Sequence, residues 1–349
     1  MSRSDRFLNA VHLQRSDCTP VWFMRQAGRY MPEYRRIRER HGLLEMFKTP
    51  EIAAEVTLQP IRALAVDAAI IFADILLPLE AMGLDLEFVE GEGPILRSPV
   101  RSRADAEALR IPDPEESLGY VLESLRLVRK EVDGKVPLIG FAGAPFTLAG
   151  YAIEGGGSRS FTLTKRLMYE HREAWEALMG KITEAVTAFL LKQAGAGAQA
   201  VQLFDSWVGC LSPADYRRYV QPYSRSIFRR LAQEGIPAIH FGTATGDLLP
   251  LMSAAGGDVI GADWRIWIDD AWSRAGSDRA IQGNLDPALL LAPWPVVEES
   301  AGEILKRVQS RSGHIFNLGH GILPQTPVDT LRRLADFVHE RTGDSHQCP

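Results

Sequence analysis

The chain has 349 residues, with Lys+Arg 39 against Asp+Glu 44 for a formal net charge of −5, and it is 46% hydrophobic and 24% charged. Those proportions are those of an ordinary soluble globular protein, long enough for one large α/β domain or about two smaller ones. The acidic balance excludes a protein that wraps nucleic acid through general basicity.

No apolar run approaches the roughly 18 residues needed to cross a bilayer. The start, Met1-Ser2-Arg3-Ser4-Asp5-Arg6-Phe7, also has no apolar leader core, so no membrane association and a cytoplasmic location are expected. Cys18, Cys210 and Cys348 form no metal-ligand spacing, and an odd count suits thiols in a reducing compartment. The charge is uneven, because residues 1–50 hold ten Lys/Arg against five Asp/Glu. An anionic ligand is therefore expected to meet the N-terminal segment.

Taken in chain order, strand-like apolar runs occur at Val21–Met24, Ala69–Phe72, Val136–Phe141, Ala200–Phe204, Ala238–Phe241, Val259–Ala262, Ala280–Gly283 and His314–Leu318. They are continuous rather than alternating, as in parallel strands buried on both faces. Helix-length segments separate most of them, with starts such as Thr49-Pro50-Glu51 and Ser212-Pro213-Ala214-Asp215, where a cap residue precedes Pro. Eight βα-like units predict an α/β fold, a (β/α)8 TIM-type barrel, ahead of a doubly wound sheet. No repeat or linker divides the chain. It reads as a single domain, 1–349, with an N-terminal arm (about 1–20) and a polar C-terminal tail (about 342–349). Gly and Pro around Glu90-Gly91-Glu92-Gly93-Pro94 predict a loop or hairpin inside the long gap 73–135.

The phosphate-loop, nucleophile-elbow, zincin and strand-linked dinucleotide motifs are absent. Gly155-Gly156-Gly157 reads as a hinge rather than an anion nest, and His240, His314 and His320 lack partners at metal-ligand spacing. What stands out is a set of polar residues after apolar strands, on the face where barrel active sites are built: Asp74, Asp205 with Ser206, Asp263 and His320. Any one of them has an ordinary use as a helix cap or turn residue. In Met24-Arg25-Gln26-Ala27-Gly28-Arg29-Tyr30, Arg25 and Arg29 with the amides between them are suited to one multiply charged anion. The nearby Arg35-Arg36-Ile37-Arg38 reads as a solvated helix surface.

Pro20-Val21-Trp22-Phe23-Met24-Arg25-Gln26-Ala27-Gly28-Arg29 resembles the N-terminal signature of the uroporphyrinogen decarboxylases, and residues 140–155, from Gly140-Phe141-Ala142-Gly143 to Glu154-Gly155, resemble the second. Ile71-Phe72-Ala73-Asp74-Ile75-Leu76, Leu203-Phe204-Asp205-Ser206-Trp207 and Asn317-Leu318-Gly319-His320-Gly321 are similar to its other site segments, in family order. No family site position departs from the pattern. The resemblance implies a (β/α)8 homodimer that converts uroporphyrinogen III to coproporphyrinogen III with loss of four CO2 in porphyrin and heme biosynthesis, using no metal or organic cofactor. It also implies substrate contacts at Arg25, Gln26, Ala27, Gly28, Arg29, Asp74, Tyr151, Ser206 and His320, with Phe204 packed on the macrocycle.

The residue types suit such a reaction. Eight carboxylates call for cations at a rim, and the central pyrrole N–H groups call for an anion, which Asp74 fits. A pyrrole protonated at the carbon beside an acetate arm accepts the electrons released with CO2, so the substrate is its own electron sink. Asp74 is the expected stabiliser of that cation. Arg25 is a candidate proton relay, although a guanidinium is itself a poor general acid. One alternative is a zinc-dependent methyltransferase of the related barrels, which requires a His-x-Cys where His240-Phe241-Gly242 has no thiol. The other is a tetrapyrrole-binding protein without catalysis.

Overall fold

Seven of the eight apolar runs become strands of one parallel sheet in a computed structural model that describes residues 3–89, 91–309 and 311–343. β1 (Ala69–Ile70) is followed by a separate antiparallel hairpin, β2 (Leu86–Val89) with β3 (Gly93–Leu96), inside the long gap where a hairpin was expected. Then come β4 (Leu138–Gly143), β5 (Ala200–Asp205), β6 (Ala238–Gly242), β7 (Val259–Gly261), β8 (Ala280–Leu285) and β9 (His314–Leu318). Sheet order is β1-β4-β5-β6-β7-β8-β9, which is chain order, and every pairing is parallel. A parallel sheet that steps one way around the chain curls and closes, with its crossover helices outside.

The closing stave departs from expectation. Val21–Met24 was expected to be a strand, and it contributes a single bridge, Val21 to Phe316 of β9. Trp22 N–H donates to the Phe316 carbonyl (3.3 Å) and Phe316 N–H to that of Pro20 (2.9 Å), while Asp67 N–H reaches the Val21 carbonyl (2.7 Å), so the segment still spans the gap between β9 and β1. The ladder stops because side chains take its amides. Val21 N–H donates to Asp67 Oδ2 (2.8 Å), Phe23 N–H to Gln26 Oε1 (3.1 Å) and Met24 N–H to Asn317 Oδ1 (3.1 Å). β1 is shortened in the same way, with Phe72 N–H donating to the Thr57 hydroxyl (2.9 Å).

Asp67, fully buried, ties this seam to both ends of the chain. Its Oδ1 accepts from Arg6 (3.2 Å) of the helix Arg3–Val11. Its Oδ2 lies 2.6 Å from His339 Nε2 of the helix Val328–Thr342. The N-terminal helix also buries Phe7, Ala10 and Val11. Residues 344–349 of the expected tail, including Cys348, lie outside the described residues.

The inside of the barrel is polar at one level. Gln202 of β5 and Gln282 of β8 are separated by two strands, yet Gln282 Nε2 donates to Gln202 Oε1 (3.0 Å), so the bond crosses the interior. Trp22 Nε1–H completes the row by donating to Gln282 Oε1 (3.0 Å). All three residues are buried, and each donor finds an acceptor away from water, the condition under which buried polar groups are tolerated. Outside, the helix Arg172–Gly195 buries Trp175, Leu178, Met179, Ile182, Val186 and Phe189. Its Gln193 pairs with both backbone groups of Phe141 in β4, an approach possible because Gly140 has no Cβ.

Candidate active site

The turn after the closing stave is built to aim one side chain. Arg25 takes φ +61°, the left-handed region that costs a non-glycine residue energy. The turn is held by Gln26 N–H to the Phe23 carbonyl (3.0 Å), Met31 N–H to Gly28 (3.1 Å), and the buried Tyr30 hydroxyl to Gln26 (2.8 Å). The Gln26 side chain is itself spent on the frame, since its Nε2 donates to Ala68 (2.9 Å) and its Oε1 accepts from Phe23. Ala27 packs into the core beneath, and a Cβ on Gly28 would meet the Arg25 carbonyl at 3.0 Å. The result is that Arg25 lies across Gly321: a Cβ there would fall 2.7 Å from Arg25 Cγ and closer still to its Cδ.

Asp74 sits just beyond β1, at the C-terminal end expected of a barrel site. Its Oδ1 accepts from Leu76 N–H (2.9 Å), whereas among the described residues its Oδ2 accepts nothing. Burial pushes its carboxyl up, opposed by the Leu76 N–H and by the Arg25 guanidinium. Tyr151, on the helix Pro145–Glu154, shares that environment. Its phenol is pushed up chiefly by burial and further by the Asp74 charge, with Trp207 and Arg25 acting the other way, so it remains a proton donor. His320 completes the group. Burial, then Arg25 and Arg265, lower it to about 4 against the pull of Asp263, which leaves a neutral imidazole at pH 7.

Phe204 provides an aromatic wall, edge-on to Phe141 (5.5 Å between centroids) and to Phe241 (5.8 Å). Ser206 follows it at the strand end, its carbonyl accepting from the Thr243 hydroxyl. Asp205, in contrast, points away into the core, where Thr147 Oγ1 donates to its Oδ1 (3.2 Å) and fixes the start of the Tyr151 helix against β5. Thus the structure brings Arg25, Asp74, Tyr151 and His320 into one electrostatic neighbourhood. It does not bring Arg29 there: that side chain is exposed, and its charge acts on the Tyr34 phenol of the helix Pro32–Arg38. Gly155 caps the Tyr151 helix with φ +82° and its carbonyl accepts from Leu96 of β3, so the triple glycine serves as a helix end docked to the hairpin.

Two features escaped the sequence reading. Arg265, two residues after Asp263, brings a further cation beside His320, and Trp207 backs Tyr151 with ring centroids 6.1 Å apart. The positional rule that selected Asp74, a polar residue just past a strand, selects Asp263 after β7, and Arg265 lies two residues further along the same turn.

The family model for Uroporphyrinogen decarboxylase (URO-D) matches residues 2–341. The chain belongs to the uroporphyrinogen decarboxylase family. It is accordingly an enzyme, a carboxy-lyase. Among relatives named uroporphyrinogen decarboxylase, that of Sorangium cellulosum (strain So ce56) is 62% identical over 335 residues, covering 96% of each chain. That of Roseiflexus sp. (strain RS-1) is 58% identical over 344 residues, 97% of this chain and 99% of the relative. A solved methyltransferase from Methanosarcina mazei superposes with a TM-score of 0.82 at 18% identity, over 97% of this chain and 99% of its own. At that identity the likeness speaks for the family's TIM-type barrel alone. Among the described residues no cluster of three or more His, Cys, Asp or Glu is placed to hold a metal ion, and no helix is long and apolar enough to cross a membrane.

Proposed function

We propose that this chain removes the carboxyl groups of the four acetate arms of uroporphyrinogen III, giving coproporphyrinogen III and four CO2 in porphyrin and heme biosynthesis. The observation that carries the reading is the half-buried Asp74 carboxylate. Its Oδ1 accepts the Leu76 N–H and its second oxygen is open among the described residues, while the Arg25 charge opposes the rise caused by burial and the protonated Tyr151 phenol shares the same field. The open oxygen accepts hydrogen bonds from pyrrole N–H groups and stabilises positive charge on the ring, an effect strongest where water is excluded.

In each round the pyrrole takes a proton beside the acetate arm. The C–COO⁻ bond then breaks, its electron pair neutralises the ring and leaves an exocyclic methylene, protonation of that carbon gives the methyl group, and the ring carbon releases the proton taken up first, restoring the aromatic pyrrole. The net change per arm is loss of CO2 and uptake of one proton, with no redox step. Arg25 holds the reacting arm and relays the proton through water or a substrate carboxyl. Tyr151, Ser206 and neutral His320 donate to the other arms, Arg29 draws carboxylates to the rim, and Gln26, Ala27 and Gly28 line the turn. The enzyme works in the cytoplasm as a homodimer of single-domain barrels, a state that sedimentation at micromolar concentration tests. The activity is tested by anaerobic incubation of chelator-treated protein with reduced uroporphyrinogen III, separating products by carboxylate number. Seven-, six-, five- and four-carboxylate species support the reading, and a substrate left intact by folded dimer refutes it.

A further inference from the structure

Arg265, just past β7, is a half-exposed cation on a firm mount. Its own N–H donates to Asp263 Oδ1 (3.2 Å) and its Nη1 pairs with Asp263 Oδ2. Asp263 is 1% exposed and accepts the Ala244 N–H as well (2.6 Å), so it cannot swing. Asn284 Nδ2 clamps the same turn by donating to the carbonyls of Asp263 (2.8 Å) and Ile266 (2.7 Å). The guanidinium stacks on Trp264, 4.0 Å above the ring, and Trp264 is seated against Gly319, where a Cβ would fall 2.9 Å from its Cε3. Half of the Arg265 side chain is nonetheless exposed, at 50%, and among the described residues its Nε and Nη2 have no partner. That edge of a guanidinium is the one that takes a carboxylate through two parallel hydrogen bonds.

Its place is fixed by Trp264, which packs against Gly319, the residue before His320, so the guanidinium stacked on that ring stands next to the His320 turn. Arg25 acts on Asp74, Tyr151 and His320, whereas Arg265 acts on His320 alone of these. Both arginines therefore act at His320, and of the two only Arg25 acts at Asp74.

We propose that Arg265 is a specificity-determining anchor that grips a propionate arm of the macrocycle beside the His320 turn, and so sets which ring faces Asp74. This rests on the decarboxylase reading above. The chemistry favours propionate because an anchor must serve in all four rounds: acetates disappear one by one, while the four propionates persist from substrate to product.

The test compares the full-length wild type with Arg265→Gln and Arg265→Lys, measuring turnover of uroporphyrinogen III and its competitive inhibition by coproporphyrinogen III, all of whose carboxylates are propionates. Loss of one charged, bidentate contact is expected to raise KM and the product Ki together by about tenfold with kcat within about twofold. Lysine, which keeps the charge and loses the fork, is expected to recover part of the loss and guards against a folding defect in the glutamine variant. Unchanged KM and Ki in a wild type that does decarboxylate would overturn the anchor and leave the decarboxylase standing. A raised KM with unchanged product Ki would mean that Arg265 reads an acetate, and a fall in kcat at constant KM would mean a chemical role; either overturns the proposal. A wild type that releases no CO2 overturns the underlying reading and the anchor with it.

Discussion

Replacing Gly321 by alanine asks whether Arg25 must lie where the structure holds it. Gly321 is buried and does not occupy the left-handed region, so its backbone accepts an alanine without strain. The added methyl would stand 2.7 Å from Arg25 Cγ and 3.0 Å from Nε. Carbon contacts are comfortable at about 3.5–4.0 Å, so the side chain must retreat by about 1 Å. Arg25 is exposed and flexible beyond Cβ, so it yields rather than the fold, and the stability change stays within about 1 kcal/mol. The site does not yield so cheaply, because a misplacement of about 1 Å in a positioning group costs on the order of 10²-fold in rate. The Asp74 carboxyl should also titrate higher, since Arg25 is one of the two groups holding it down. Anaerobic turnover assays across pH, paired with thermal melts, read both effects. A Gly321→Ala enzyme that melts like the wild type and keeps kcat/KM within about threefold would refute the placement of Arg25 over this glycine.

Asp74→Asn is expected to lower kcat by on the order of 10² or more with the fold intact, as for a preorganised stabiliser of developing charge; unchanged turnover in folded protein would remove Asp74 from the mechanism. Arg29→Ala is expected to raise KM with kcat nearly constant, as befits a cation whose charge falls on Tyr34 rather than on Asp74, and a kcat loss at constant KM would place it in the chemistry. Stability should fall with acidification between pH about 6.5 and about 4, because burial lowers His314 to about 4 and the unfolded chain takes up that proton first. At about 1.4 kcal/mol per pH unit the His314 share is roughly 3 kcal/mol, regained as pH rises through the same window, and His320, lowered to about 4 as well, adds to it with the same sign. Urea unfolding at both ends of the window measures it. His314→Leu should make the slope shallower, the remainder belonging to His320, and an equally steep one in that variant would remove His314 from the effect.

The strand walk was legible because parallel strands covered on both sides need continuous apolar sequence, and β9 occurs where His314–Leu318 predicts it. The closing stave was not, because its ladder is replaced by Asp67, Gln26 and Asn317, residues that sequence pattern cannot assign to a backbone partner. Asp74, Tyr151 and His320 could be named in advance, the first and last as polar residues past strands and Tyr151 through family resemblance. The work of Gln26 could not, since an amide that braces a turn and one that binds a ligand look alike in sequence. The strand-end rule picks out Asp263, and only the structure shows that this carboxylate mounts the Arg265 side chain.

Asp67 makes the two ends of the polypeptide mechanical neighbours of the reaction. The carboxylate that receives Val21 N–H also receives His339, and Val21 is only four residues ahead of Arg25. Losing the helix Val328–Thr342 would leave Asp67 with Arg6 and Val21 as its partners, so the end of the described chain braces, through one buried carboxylate, the segment that leads into the Arg25 turn, as the knot of a drawstring holds the seam it is tied behind.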